Sequence, residues 1–300
     1  MNVLAIDIGG SKISFGIVDS ENGGVLFCEK QKLPEKTDAN LLLEIIKVNC
    51  AFILEKYDFG KIGVNIPGLA DTKNGVWVYA PFSGINNFPV SKILSDLYGR
   101  EVYIENDVNS CAVGEKLFGC CKDTDDFFWV TISNGIGGAI FANGSLYSGC
   151  GGNAGEIGHI NINVRENNNN ILCGCGKYNC LEALAAGPGI SKRFEISYGE
   201  KLTAEEIARA ARNGDINALQ IINETGYYIG AALSSVINIL NPKKIIFGGG
   251  VSQSFDLLEP GIKSSLDKYM FKAANENIEL SRTALGYNAA LIGAAAITVN

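Results

Sequence analysis

The sequence predicts an α/β protein of two lobes, each a mixed β-sheet flanked by helices. Three observations carry that expectation. A strand, a glycine turn, a second strand, another turn and a third strand occur twice, once from Val3 and again from Phe127, which suggests an internal duplication. Helical periodicity alternates with short apolar strands between and after the two copies, the pattern of α/β layers. The chain has 300 residues, 47% of them hydrophobic, enough apolar surface for a large core.

In the first copy, Val3 to Ile8 is an apolar strand that contains Asp7 and runs into Gly9-Gly10. Ile13 to Val18 reads as a second strand, Gly23-Gly24 as a hairpin turn, and Val25 to Glu29 as a third strand. Ala39 to Tyr57 has helical periodicity, with Leu42, Ile45, Ile46, Asn49 and Ile53 on one stripe. Lys61 to Ile66 is a strand stopped by Pro67-Gly68, Val90 to Tyr98 a helix, and Glu101 to Ile104 a strand ending at Glu105-Asn106-Asp107. A helix follows from Val108 to Leu117, with Asn106-Asp107 as its cap.

The second copy starts with the strand Phe127 to Ile132, passes through Ser133 to Gly138, continues as Ala139 to Ala142 and turns at Asn143-Gly144. Asn167 to Asn170 is a polar loop. Thr203 to Asn213 reads as a helix, with Thr203 and Glu206 spaced as a capping box. Ala218 to Leu240 is a long helix stopped by Asn241-Pro242. Lys244 to Phe247 is a strand entering Gly248-Gly249-Gly250, and Gly286 to Val299 a final Ala-rich helix. The lobes are expected to comprise residues 1–116 plus 287–300, and 117–286.

A net charge of −7 and the absence of any basic run argue against nucleic acid or an anionic membrane surface as partner. The chain opens directly on a strand, without the charged and apolar segments of a signal peptide. Tyr227 to Leu240 is too short to span a bilayer and contains Ser234, Ser235 and Asn238, so it reads as a buried helix. Of nine cysteines, the six outside the 173–180 cluster lie at irregular spacings, which fits a reducing cytoplasm better than a disulfide framework.

Several segments carry chemistry. In Asp7-Ile8-Gly9-Gly10-Ser11-Lys12, glycines let backbone N–H groups approach phosphate, Ser11 and Lys12 add a hydroxyl and a cation, and Asp7 can reach magnesium through water. Ser133-Asn134-Gly135-Ile136-Gly137-Gly138 is the matching turn, and two such turns point to a polyphosphate. Asp107, at a strand end, is placed to take a proton from a hydroxyl that attacks phosphorus. Ile245 to Ser252, with Gly249 and Gly250, suits a flat adenine ring and its ribose. Glu156, His159 and Glu182 offer acceptors for sugar hydroxyls, and Asn65 and Ser83 to Asn87 are further pocket-rim candidates.

The only histidine, His159, precedes Cys173, Cys175 and Cys180. One imidazole and three thiolates form a complete tetrahedral zinc set, and four protein ligands leave no open position, so the site is structural. It would pin the loop that carries Glu156 and Glu182.

In this order, the motifs resemble the ROK family (repressors, open reading frames and sugar kinases) over nearly the whole chain. The resemblance rests on Asp7 to Lys12, Glu105 to Asp107, Gly135 to Gly138, Gly155-Glu-Ile-Gly-His159, Cys173-Gly-Cys-Gly followed by Cys180-Leu-Glu182, and the glycines at 248–250. It implies an actin-like ATPase (ribonuclease H-like) fold of two lobes, with the last helix returning to the first lobe. It also implies an ATP-dependent hexose kinase acting on the 6-hydroxyl, with glucose leading and N-acetylmannosamine, fructose and allose as alternatives. Asp107 is then the base. Asn106, Glu156, His159 and Glu182 hold the sugar, His159 with the three cysteines holds Zn2+, and Asp7 sits near Mg-ATP. Family members are commonly dimers or tetramers. A sugar-responsive regulator is disfavoured, because no helix-turn-helix precedes Val3.

Ser11 and Asn134 stand where the family has Thr, and Asn179 where it has Gly, a position where Asn also tolerates positive φ. Phe82 and Ile85 replace the Asn and Trp of the family's sugar rim, which bears on sugar identity.

Overall fold

Alternating apolar strands and amphipathic helices fold into two units. The computed structural model describes residues 1–80, 84–162 and 170–299. One unit comprises Met1–Asp123, Ser148–Asn153 and Thr283–Asn300, the other Thr124–Tyr147 and Ala154–Arg282. The sequence reading puts the main divisions at 116/117 and 286/287.

The first unit opens with β1 (Asn2–Ile8), β2 (Lys12–Asp19) and β3 (Val25–Lys32). Helix α1 (Ala39–Leu54) is capped by Asp38, whose carboxylate accepts the Leu41 N–H. It buries Leu42, Ile45, Ile46, Cys50 and Ile53. Cys50 takes the core position, while Asn49 sits at its border and its amide bonds back to the Ile45 carbonyl at 2.8 Å. Strand β4 (Lys61–Ile66) follows, then three short strands, β5 (Leu69–Asp71), β6 (Val76–Tyr79) and β7 (Asn86–Phe88), which form their own sheet. Trp77 is fully buried, and its indole N–H donates to the Pro67 carbonyl. Helix α2 (Val90–Tyr98), ended by Gly99 at φ 62°, leads to β8 (Glu101–Asn106) and α3 (Asp107–Leu117).

The main sheet has the order β3-β2-β1-β4-β8, antiparallel across the first two pairs and parallel across the last two.

The second unit repeats this plan. It contains β9 (Phe127–Ile132), β10 (Ile136–Ala142), β11 (Ser145–Tyr147), α4 (Leu181–Ala185), α5 (Gly187–Tyr198), α6 (Ala204–Arg212) and α7 (Ile216–Leu240), followed by β12 (Lys244–Gly248), α8 (Phe255–Tyr269) and β13 (Glu279–Arg282). The sheet order, β11-β10-β9-β12-β13, again pairs two antiparallel and two parallel steps. Asn143 and Gly144, both at positive φ, make the tight turn between β10 and β11. Thr203 and Glu206 form the expected capping box of α6. The interior of α7, including Tyr228 to Ser234, is buried. Among the described residues, no helix is long and apolar enough to cross a membrane.

The chain then returns to the first unit as α9 (Ala289–Ala296), shorter than the expected 286–299 because residues 286–288 form a 3-10 turn. Its small residues let it lie on the sheet beside α3. A Cβ on Gly63 of β4 would stand 1.7 Å from the Ala294 carbonyl oxygen, so only glycine allows this approach.

Glu115, fully buried near the end of α3, ties the return segment down. Its carboxylate accepts the N–H groups of Cys120 at 2.9 Å and Ala284 at 3.0 Å, and the Thr283 hydroxyl. Glu115→Ala strands these donors, and a loss of about 2–4 kcal/mol is expected. Urea unfolding monitored by circular dichroism measures it, as a lower midpoint with an unchanged slope.

Candidate active site

In the first unit, the turn between β1 and β2 closes with the Gly9 N–H donating to the Lys12 carbonyl at 2.9 Å, and Gly10, Ser11 and Lys12 are exposed. Asp7 lies beside Asn65 in the parallel register of β1 and β4. The Asn65 amide donates to the Ala290 carbonyl at 2.7 Å and more weakly to Asp7 Oδ1 at 3.4 Å. Asn65 Oδ1 is buried without a hydrogen-bond partner. An orphaned acceptor beside a carboxylate suits a hydrated cation. Burial pushes the Asp7 carboxyl above the usual range, opposed by the Asn65 amide and by Lys30 and Lys12.

Asp107 is the first residue of α3, directly after the end of β8. Asn106 is the N-cap, its Oδ1 accepting the Val108 N–H at 2.9 Å and the Asn109 N–H at 3.2 Å. Its Nδ2 donates to the Gly68 carbonyl at 3.2 Å. Oδ1 is thus committed to the helix, and towards any ligand the amide can act only as a donor. Glu105 completes the corner by accepting the Asn106 N–H at 2.8 Å and the Asn109 amide at 3.1 Å. Burial raises its carboxyl above the usual range. Glu105 was legible only as part of a motif; that it orients its neighbour emerges from the fold.

In the second unit, Ser133 and Asn134 are exposed at the turn between β9 and β10, which closes through the Ser133 N–H and the Gly135 carbonyl at 2.9 Å. Gly249, at φ 85°, lies so close to β9 that a Cβ would stand 2.3 Å from the Ile132 carbonyl oxygen. The next residue, Gly250, faces Ser133 Oγ across about one van der Waals contact, 4.0 Å from a built Cβ. The Ser133–Gly138 turn and the glycine triplet are therefore neighbours.

The Gly155–His159 segment packs on β10. Cβ atoms on Gly155 and Gly158 would lie 2.1 Å from the Gly138 and 2.0 Å from the Ile136 carbonyl oxygens. Glu156 and His159 are left exposed, their Oε2 and Nε2 3.8 Å apart. Glu182, in the first turn of α4, accepts the Ile136 N–H through Oε2 at 3.0 Å, and its Oε1 lies 3.8 Å from Cys173 Sγ. Arg193, a buried cation without a clear sequence signal, holds α4 by donating from Nε to the Leu184 carbonyl at 2.8 Å, and pairs with Glu224.

The ligand atoms of His159, Cys173, Cys175 and Cys180 all lie within 4.8 Å of one another. His159 Nδ1 is 3.8 Å from Cys173 Sγ, and the Cys175 and Cys180 sulfurs are 3.6 Å apart. These match the edges of roughly 3.5–3.8 Å of a tetrahedron with ~2.3 Å metal–sulfur bonds. No cysteine forms a disulfide. Burial raises the Cys173 thiol and pushes Cys180 up to about 12, while the Lys177 N–H lowers Cys175. Crowded thiols of this kind ionise together only around a cation. Asn179 adopts φ 58° just before the last cysteine, as expected for its place in the family pattern. Phe82 and Ser83, and Asn167 to Asn169 of the polar loop, lie outside the described residues. Ile85 is buried, and Asn86 begins β7.

The ROK family model matches residues 3–300. The chain belongs to the ROK family. Its paired mixed sheets, flanked by helices, are those of the actin-like ATPase fold. A glucokinase of Halalkalibacterium halodurans is 31% identical over 97% of this chain and 92% of that protein. The xylose repressor of Bacillus subtilis is 29% identical over 99% of this chain and 77% of its own. A ROK family glucokinase from Streptomyces griseus, solved with glucose and AMPPNP, superposes with a TM-score of 0.85 at 29% identity, covering 98% of each chain.

The raised Asp7 carboxyl has a thermodynamic consequence. A folded-state pKa above the unfolded value disfavours the native state once the carboxyl ionises, so the penalty is absent at low pH and grows as pH rises through the carboxylate range. Asp7→Asn removes it. Differential scanning calorimetry is expected to give equal Tm values near pH ~3 and a higher Tm for the variant near pH ~7.

Proposed function

We propose that this protein is an ATP-dependent kinase that phosphorylates the 6-hydroxyl of a hexose, glucose before N-acetylmannosamine, fructose or allose. The observation that carries the reading is the corner at the end of β8. Glu105 and Asn106 fix the start of α3 so that Asp107 stands at the strand end, where ligands bind in α/β sheets. The full-length likeness to glucokinases supports it.

Phosphoryl transfer asks the protein for alignment and charge compensation rather than covalent chemistry. Asp107 would accept the 6-hydroxyl proton as that oxygen attacks the γ-phosphorus of ATP, the bond from γ-phosphorus to the β,γ-bridging oxygen breaking and ADP leaving. Glu156, His159 and Glu182 would bind sugar hydroxyls, with Asn106 donating from Nδ2. Gly9, Gly10, Ser11 and Lys12, and Ser133, Asn134, Gly135 and Gly137, would bind phosphates through backbone N–H groups, hydroxyls and the Lys12 ammonium. Gly249 and Gly250 would lie against the adenosine. Bound magnesium would neutralise phosphate charge, with Asp7 reaching it through water. His159, Cys173, Cys175 and Cys180 would hold a structural zinc that cross-links the sugar-binding loop.

A second reading is a sugar-responsive regulator, favoured by the likeness to xylose and N-acetylglucosamine repressors. A coupled ADP-release assay across hexoses and N-acetylhexosamines separates the two: a kinase turns over on at least one sugar, and a regulator binds sugar without turnover. Asp107→Asn is expected to lower kcat by ~10²–10⁴ while leaving the sugar Kd within about twofold. Turnover equal to wild type removes Asp107 from the role of base.

Cys175→Ala opens the metal set. The variant is expected to lose bound zinc in plasma emission spectrometry and to bind sugar more weakly in calorimetry. Native protein without zinc would sink this assignment.

A further inference from the structure

We infer that Glu182 is a positioning residue for nucleotide as well as a sugar ligand, coupling the sugar platform directly to the second phosphate turn. The inference rests on the kinase reading and deepens it. Four contacts carry it, all within one unit. The Glu182 carboxylate accepts the N–H of Ile136, the residue that follows the Ser133-Asn134-Gly135 turn. Gly135 leaves room for that carboxylate: a Cβ there would stand 2.7 Å from Glu182 Oε2. The Gly187 N–H, at the start of α5, donates to the Ser133 carbonyl at 2.8 Å. The Gly155–Gly158 segment rests on the Ile136 and Gly138 carbonyls. The turn is thus gripped at Ser133 from α5, at Ile136 from Glu182, and at Ile136 and Gly138 from the loop carrying Glu156 and His159.

The physical consequence follows from what one carboxylate can do. Oε2 is already bonded to the turn, and Oε1 faces Cys173. A sugar hydroxyl donating to this group pulls on a side chain whose other oxygen sets the position of a phosphate-turn amide. Ile136 is buried, and a buried N–H that loses its acceptor costs free energy. The coupling is reciprocal: whatever sugar does to nucleotide affinity, nucleotide must do to sugar affinity.

Two variants probe the contact from its two sides, read by isothermal titration calorimetry at equilibrium. Glu182→Ala is titrated with AMPPNP and magnesium in the absence of sugar. Gly135→Ala, whose new methyl displaces a flexible carboxylate rather than backbone, is titrated with glucose, or with whichever hexose the wild type phosphorylates, in the absence of nucleotide. Each is expected to weaken binding of the ligand that the altered residue does not hold by about tenfold. The Tm of Gly135→Ala should stay near that of wild type, which keeps the test sound should Glu182→Ala fold poorly. Either folded variant binding that ligand within about twofold of wild type overturns the inference and leaves the kinase reading standing. Wild-type protein that binds neither ligand removes both.

Discussion

Backbone-to-backbone contact, made possible by missing side chains, is the constraint on which the second unit depends. Gly155 and Gly158 let a loop lie directly on the carbonyls of β10, closer than any Cβ would permit. That approach gives the exposed Glu156 and His159 a rigid floor. It also places them beside β10, the strand that begins just after the Ser133-Asn134-Gly135 turn. A polar loop standing on side chains would have kept the mobility of those side chains. Standing on a strand, it takes the position of the sheet.

The first unit solves a similar problem differently. Here the polar groups sit at strand ends, and hydrogen bonds rather than glycine contacts hold them. Glu105, Asn106 and Asn109 form a closed corner in front of Asp107, and Asn65 spans from Asp7 to the first turn of α9. Burying carboxylates this way has a cost, visible in the upward push on Asp7 and Glu105. Strain of this kind is typical where a group must be held ready for a ligand rather than for stability.

Periodic segments were legible in the sequence with little loss. The strand at Lys61–Ile66, the helix at Val90–Tyr98 and the capping box of α6 match the structure, because each carries its own local signal: alternation, an apolar stripe, or a side chain that satisfies a helix end. The strands β5, β6, β7 and β13 and the helices α4, α5 and α8 were not drawn out. The strands are three or four residues long, too short for a period to register, and α4 follows directly on the cysteine turns. The candidate ligand set was readable because one histidine and three close cysteines are a rare combination. Glu115 and Arg193 were not, because a lone charged residue in a helix looks solvent-exposed until its partners are known.

The sequence by itself determined the repeated strand-and-turn plan, the identity of the polar residues at each turn, and the grouping of His159 with Cys173, Cys175 and Cys180. These follow from local spacing, which chain geometry alone enforces. Only the tertiary structure decided that Glu182 bonds to Ile136, that Asn65 meets Asp7, and that Glu115 receives Thr283 and Ala284. Those pairs are far apart along the chain. Their meeting depends on sheet order and on how closely neighbouring backbones can approach, and neither leaves a mark at the residues themselves.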